Sequence, residues 1–392
     1  MKQAIMSWLE RNSGDLEQTY HHLHANAEIS WEEQATTAFL QQALEQMGVA
    51  SRTFDEHTGV VAEWAGETAA AGSGGGGGPV AALRSDIDAL WQNVDGVWKA
   101  NHSCGHDAHM TMVLFALKCL KEIGYQPPGK LVVIFQPAEE TGEGARRMVQ
   151  LGIVDDVDYL LGIHLRPAKE VKFGQASSAI YHGAAAFLEG SVSGRQAHAS
   201  RPNDGINVID ALAAIVNAVN AVKVDPMVPA SCKVTKLTVD NKSVNIIPDI
   251  GSFAIDVRAQ TNQAIEDLLQ KVEAAVTLAG SMNGAQVELR VGARMAAAVP
   301  NKHMEKVVGE AIVDVIGDAG FVNPTVTPGG EDFHYYPLLK PNVQATMIGL
   351  GCDLLPGLHH PQMKFNLDAL RLGTAMLALS VVKLLDSKGT ES

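Results

Sequence analysis

The run Leu131-Val132-Val133-Ile134-Phe135, followed at once by Gln136-Pro137-Ala138-Glu139-Glu140, decides how the chain is read. Five consecutive apolar residues rich in β-branched side chains, stopped by a proline, predict a strand. Two adjacent carboxylates then stand at its C-terminal end, where open α/β sheets keep their sites. Neighbouring carboxylates at a strand end diverge, so one can bind a metal while the other faces substrate as a general base. The competing reading is a solvated Glu-Glu pair opening a helix.

Working outward, a helix over 110–123 precedes this strand, and a helix over 144–151 and a strand over 159–162 follow it. Apolar runs at 60–64 and 80–83 add two more strands, giving the alternation of an α/β domain with a mixed sheet. The N-terminal stretch, residues 2–48, reads as two helices. Between the two early strands, Gly72-Ser73-Gly74-Gly75-Gly76-Gly77-Gly78-Pro79 reads as a flexible hairpin loop. A phosphate-binding loop would need a helix after it, and strand-like Val80-Ala81-Ala82-Leu83 follows instead.

From residue 184 the order changes to strand 186–192, helix 206–222, strand 233–239, strand 252–258, helix 263–279 and strand 286–291. This β-α-β-β-α-β succession is the signature of a ferredoxin-like unit. Helices over 304–316 and 367–385, with a strand over 343–348 between them, return to the earlier style. The expectation is a discontinuous α/β domain, residues 1–182 and 296–392, interrupted by a ferredoxin-like α+β domain at 183–295.

Composition narrows the function. The 392 residues carry 30 basic and 44 acidic side chains, a net −14, which disfavours nucleic-acid and anionic-membrane partners. Apolar runs are too short and too often interrupted to span a bilayer, and no signal-peptide pattern opens the sequence. Four scattered cysteines (Cys104, Cys119, Cys232, Cys352) form no disulfide framework and suit a reducing compartment, the cytoplasm.

The densest chemistry lies in Asn101-His102-Ser103-Cys104-Gly105-His106-Asp107-Ala108-His109, with four potential metal ligands just before a helix. Gly105 lets a tight turn aim Cys104 and His106 at one ion, and thiolate with imidazole suits zinc or another late transition metal. A nucleophilic Cys104 with His106 as base is the rival, although such partners usually come from distant parts of a fold. His164 ends the apolar run 160–163, and His359-His360 sits in a turn-rich segment. Asp86 and Asp88 follow the strand at 80–83 as candidates to orient ligand histidines, or as a structural turn pair.

In order, these segments resemble the family of aminoacylase- and carboxypeptidase-type metallohydrolases. The match is strongest to its branch of hippurate hydrolases, aminobenzoyl-glutamate hydrolases and plant hydrolases of indole-acetyl amino acids. It runs from His22-Leu23-His24 and Glu28-Ile29-Ser30 through "ALRSDIDAL", "NHSCGHDAHM", "PAEE", "GIHL", "GRQAHASRP", "NIIPD" and "LHHP". The resemblance implies a metal-dependent hydrolase of N-acyl amino acids with two divalent ions, zinc, manganese, cobalt or nickel. It implies Cys104, His106, Glu140, His164 and His359 as ligands, Cys104 bridging, with Glu139 as general acid/base and Asp86 behind the ligands. It further implies a homodimer through the inserted domain, His198 reaching the partner subunit's site, and Asn245 and Arg258 orienting substrate. For Arg258, a structural ion pair is an equal alternative. Rival functions are a metallo-dipeptidase or carboxypeptidase and a non-catalytic metal- or peptide-binding member. Trp91 replaces the family's usual proline, offering a bulky wall for the acyl pocket, and Ala27 replaces another. Gly329-Gly330-Glu331-Asp332-Phe333 resembles a family segment that supports the site.

Overall fold

The computed structural model describes residues 1–66 and 78–386. The glycine run expected as a hairpin loop lies, apart from Gly78, outside the described residues. The chain divides into two compact units.

The first unit comprises Met1–Ile180, Val299–Thr325 and Asp332–Ser392. Its eight-stranded sheet runs in the order Ala50–Arg52, Val60–Ala65, Lys130–Gln136, Val80–Asp86, Tyr159–Pro167, Gln344–Leu354, Ala176–Ser177, Phe321–Val322. The four strands from Lys130–Gln136 to Gln344–Leu354 are mutually parallel. Val60–Ala65 and Ala50–Arg52 add antiparallel at one side. Parallel strands are covered on both faces, which is why they read as unbroken apolar runs; Leu131, Ile134 and Phe135 are fully buried.

The crossover helix His106–Glu122 is buried along nearly its whole length, and the C-terminal helix Asp368–Asp386 belongs to the same core. The N-terminal segment forms three helices, Lys2–Arg11, Ser13–Ala25 and Gln34–Gln46, where two were expected. Asn12, at φ −107° and ψ 14°, leaves helical geometry and divides the first from the second. A two-stranded ribbon, Leu90–Val94 with Val97–Asn101, was also not anticipated. Its turn, Asp95-Gly96 with both φ positive, carries the Asp-Gly signal of a type I′ hairpin. Trp91 lies on this ribbon, 57% exposed.

The second unit comprises Tyr181–Ala298 and Val326–Glu331. Strands Ala184–Ser193, Ala230–Thr238, Ile250–Ala259 and Gln286–Met295 and helices Val208–Ala221 and Asn262–Met282 follow one another in β-α-β-β-α-β order. The sheet is antiparallel in each pairing. Along Ile250–Ala259 buried residues alternate with more exposed ones, placing Phe253, Ile255 and Val257 in a core with Ile215 and Val272 from the helices. The short return Val326–Glu331, within the stretch 296–392 assigned above to the larger domain, falls in this unit. The Gly183 N–H binds it through the carbonyls of Thr327 and Gly329.

Candidate active site

The five ligands expected from the sequence all belong to the first unit, most of them around the C-terminal ends of its parallel strands. Gly105, at φ +89°, caps the helix His106–Glu122, and an added Cβ there would lie 2.9 Å from the Leu165 side chain. That conformation turns Cys104 and His106 toward one another on either side of it. Cys104 Sγ lies 3.6 Å from His164 Nε2. His164 sits within the strand Tyr159–Pro167, two residues beyond the end the sequence suggested.

Two triplets of donor atoms share the thiol: Cys104, His106 and His164 form one, and Cys104, Glu140 and His359 the other. Within each triplet all donor atoms lie within 4.8 Å of one another. His359 reaches the second triplet in a left-handed conformation, φ 63°, fixed by its N–H donating to the Ser103 carbonyl at 2.8 Å. Gln92 on the ribbon donates to the His359 carbonyl, and His359 Nε2 stands 3.6 Å from Glu140 Oε1.

The cluster fits a cation. His106 Nε2 is buried with no hydrogen-bond partner among the described residues. It stands 3.7 Å from Asp86, 3.9 Å from Glu139 and 4.0 Å from Glu140. Burial, reinforced by Glu140, pushes the Cys104 thiol well above its ordinary range. Burial opposes charge on His106, yet Asp86 and its other neighbours raise it well above normal. Burial lowers His164, with His109 and Arg166 adding to the effect. A thiol, several carboxylates and two imidazoles crowded together in a buried cluster answer the chemistry of a thiolate-, imidazole- and carboxylate-binding metal. Separations near 3.6 Å resemble the spacing of about 3.5 Å between two ligands of one tetrahedral ion.

Both aspartates singled out in the sequence lie behind the donors. His106 Nδ1 donates to the carbonyl of Asp88 at 2.9 Å, leaving Nε2 for the cluster. Asp86 instead bonds His109 Nδ1 at 2.9 Å and Arg84 at 2.8 Å. Burial favours its neutral form, but His106, Arg84 and His109 hold its carboxyl well below the usual range. His109, one of the four potential ligands, is committed elsewhere, because its Nε2 accepts the Leu165 N–H at 3.1 Å. His102 is buried and is in none of the donor groups.

Asp332 lies under this floor, binding buried Arg84 at 2.7 Å, Gln136 with both oxygens, and the Ala145 N–H. Its own N–H donates to Glu139 Oε1 at 3.4 Å. The supporting part expected of the Gly329–Phe333 segment is therefore played by Asp332. Ala138, just before the carboxylate pair, is buried at φ 54°, a conformation costing a non-glycine residue about 1–3 kcal/mol.

The remaining candidates lie in the second unit. His198 is exposed on a short strand paired with Ile246–Ile247. The Ser200 N–H donates to its Nδ1 at 3.1 Å, which leaves the proton on Nε2 when the ring is neutral. Asn245, also exposed, joins the same ribbon through its carbonyl, which accepts the Ala199 N–H. Arg258 grips both oxygens of Asp256 at 2.8 and 3.0 Å beside the Phe187 ring, the ion-pair alternative raised above.

Two donor triplets sharing one thiol, with a further carboxylate against them, define the class of dinuclear metallohydrolases. Comparison with known proteins makes the class specific: residues 82–383 match peptidase family M20/M25/M40, and the chain belongs to that family. It is 30% identical over 387 residues to the Arabidopsis thaliana IAA-amino acid hydrolase ILR1-like 2, covering 94% of this chain and 85% of that protein. It is equally 30% identical over 389 residues to an N-acetyl-L-cysteine deacetylase of Bacillus subtilis (strain 168), covering 93% and 87%. Its fold is similar to a crystal structure of a Bacillus subtilis protein described as a dinuclear metal binding peptidase of the M20 family. There the TM-score is 0.77 at 23% identity over 96% of this chain and 99% of that one. The chain is an enzyme acting on amide bonds. Among the described residues, no helix is long and apolar enough to cross a membrane.

Proposed function

We propose that this enzyme hydrolyses the amide bond of N-acyl amino acids, using two divalent metal ions held by Cys104, His106, His164, Glu140 and His359, with Cys104 shared. The observation that carries the reading is the pair of donor triplets meeting at Cys104 with Glu139 beside His106. The relatives named for hydrolysing indole-acetyl amino acids and deacetylating N-acetyl-cysteine support the substrate class. When bound, the two ions supply Lewis acidity for the scissile carbonyl and the attacking water.

The chain's own groups do the rest. Glu139 is buried beside the donors, and the backbone N–H of Asp332 steadies its Oε1. Oε2, 3.9 Å from His106 Nε2, is the oxygen assigned to take the proton of the attacking water and deliver it to the leaving nitrogen. His198 carries the Nε2–H needed to donate to a developing oxyanion. We assign that role to His198 of a second copy in a homodimer formed through the inserted unit. Asn245 and Arg258 are assigned to orienting substrate, Arg258 only if it releases Asp256. Zinc, manganese, cobalt and nickel all suit the mixed donor set. Four free, buried cysteines accord with a cytoplasmic setting.

The test is hydrolysis of N-acetyl, N-benzoyl and N-aminoacyl amino acids by protein stripped of metal and reloaded with single divalent ions. Activity on the acyl substrates that vanishes and returns with metal supports the reading. Preference for free-amine substrates replaces it with a dipeptidase, and activity indifferent to stripping returns Cys104 to the role of nucleophile.

A further inference from the structure

Between Asn26 and Gln34 the chain forms a strap whose side chains reach the segments that carry the carboxylates. Ser30 Oγ donates to Asp88 Oδ2 at 2.6 Å, and the same oxygen accepts the Glu140 N–H at 3.1 Å. Glu33, wholly buried, accepts the Ala138 N–H on Oε1 at 2.9 Å, and its Oε2 accepts the Thr58 hydroxyl. On its other side, Ala138 offers its carbonyl to Gly144 N–H and Thr141 Oγ1. Gly59 closes against the preceding residue: a Cβ there would lie 2.8 Å from Pro137 Cδ.

We propose that Glu33 is a positioning residue for Glu139: by taking the Ala138 N–H, its carboxylate locks the left-handed turn that aims Glu139 and Glu140 in different directions. The inference rests on reading Glu139 as the proton carrier. Ala138 has a side chain, so left to itself it favours negative φ. Without an acceptor its buried N–H loses the bond that rewards the unfavourable conformation. A return to ordinary φ rotates the following peptide and swings Glu139 relative to Glu140. Misplacement on the order of 1 Å can cost about 100-fold in rate.

The test compares Glu33→Leu, Glu33→Asp and Glu33→Gln by steady-state kinetics, metal content and hydrogen exchange of the segment 136–141. Leu removes the acceptor, Asp keeps the carboxyl group but falls a methylene short, and Gln keeps an acceptor oxygen and can donate to Thr58. Glu33→Leu and Glu33→Asp are expected to retain both metals, lower kcat by roughly 10–100-fold at nearly constant KM, and speed exchange in 136–141. Glu33→Gln should restore both readouts; Glu33→Asp serves if the leucine variant does not fold. Unchanged exchange in 136–141, or wild-type kcat per metal-loaded molecule in Glu33→Asp, overturns the proposal. A Glu139→Gln control that kept full turnover would sink the assignment of Glu139 alone, since the exchange readout still reports whether Glu33 holds the turn.

Discussion

Arg84 and Asp332, 248 positions apart in sequence, meet at 2.7 Å with both side chains buried. The same guanidinium binds Asp86 and Gln136, so one cation is shared by two carboxylates beneath the donor cluster.

Removing that cation leaves Asp86 and Asp332 buried without it. Arg84→Met is expected to cost about 3–5 kcal/mol, the usual penalty for breaking a buried pair from one side. Urea unfolding of the unit that holds them measures it. A loss under 1 kcal/mol would mean that the carboxylates are compensated by other groups.

Glu139→Gln preserves shape but cannot accept a proton. Turnover should fall by at least the ~10²–10⁴-fold typical of general acid–base catalysis, with bound metal unchanged. Kinetics beside elemental analysis of the same sample decide it, and normal turnover in the variant removes Glu139 from the mechanism.

Because the two triplets share only Cys104, single substitutions should separate in metal stoichiometry. His164→Ala and His359→Ala are each expected to weaken one ion, whereas Cys104→Ala should weaken both. Metal content after dialysis, by mass spectrometry, reads the difference. Full occupancy in Cys104→Ala would exclude a shared thiol.

Glu33 sets a pH dependence of stability. Burial raises its carboxyl from an ordinary 4.5 to about 7, against the opposing bond from Thr58. The folded state therefore holds this proton more tightly than the unfolded chain does. The associated stability is complete below about pH 4.5 and is lost as pH rises through about 7, a change of about 3 kcal/mol. Glu33→Gln has no proton to lose, so its stability relative to wild type should improve between pH 5 and pH 8. A difference that stays flat across that range would show Glu33 titrating as an ordinary carboxylate.

Much of the site was legible because its donors lie in short local motifs. Cys104 and His106 flank a glycine, and Glu139 and Glu140 follow a strand that is plain in the apolar run 131–135. What stayed hidden depends on tertiary partners. Nothing local distinguishes His109, whose two ring nitrogens are occupied by Asp86 and Leu165, from a proposed ligand such as His106. Nor does the sequence around Ala138 announce a positive φ, which is imposed in part by a glutamate 105 positions earlier. Asp86 and Asp88 were both legible as partners of the histidines, but that Asp88 meets His106 Nδ1 through its backbone carbonyl is something no side-chain pattern encodes. In the N-terminal region, Asn12 divided what reads as one helix; in the ribbon, Asp95-Gly96 was a visible signal passed over.

The place of Gln344–Leu354 in the sheet has a consequence for synthesis. This strand pairs with Tyr159–Pro167 on one side and Ala176–Ser177 on the other, although the whole second unit is translated before it. A growing chain therefore carries His164 on a bare strand edge until Gln344–Leu354 leaves the ribosome. The first donor triplet is complete in covalent sequence by then, while the second waits for His359. Prematurely ended chains present an open apolar β-edge, the form of nascent protein most in need of a chaperone's cover.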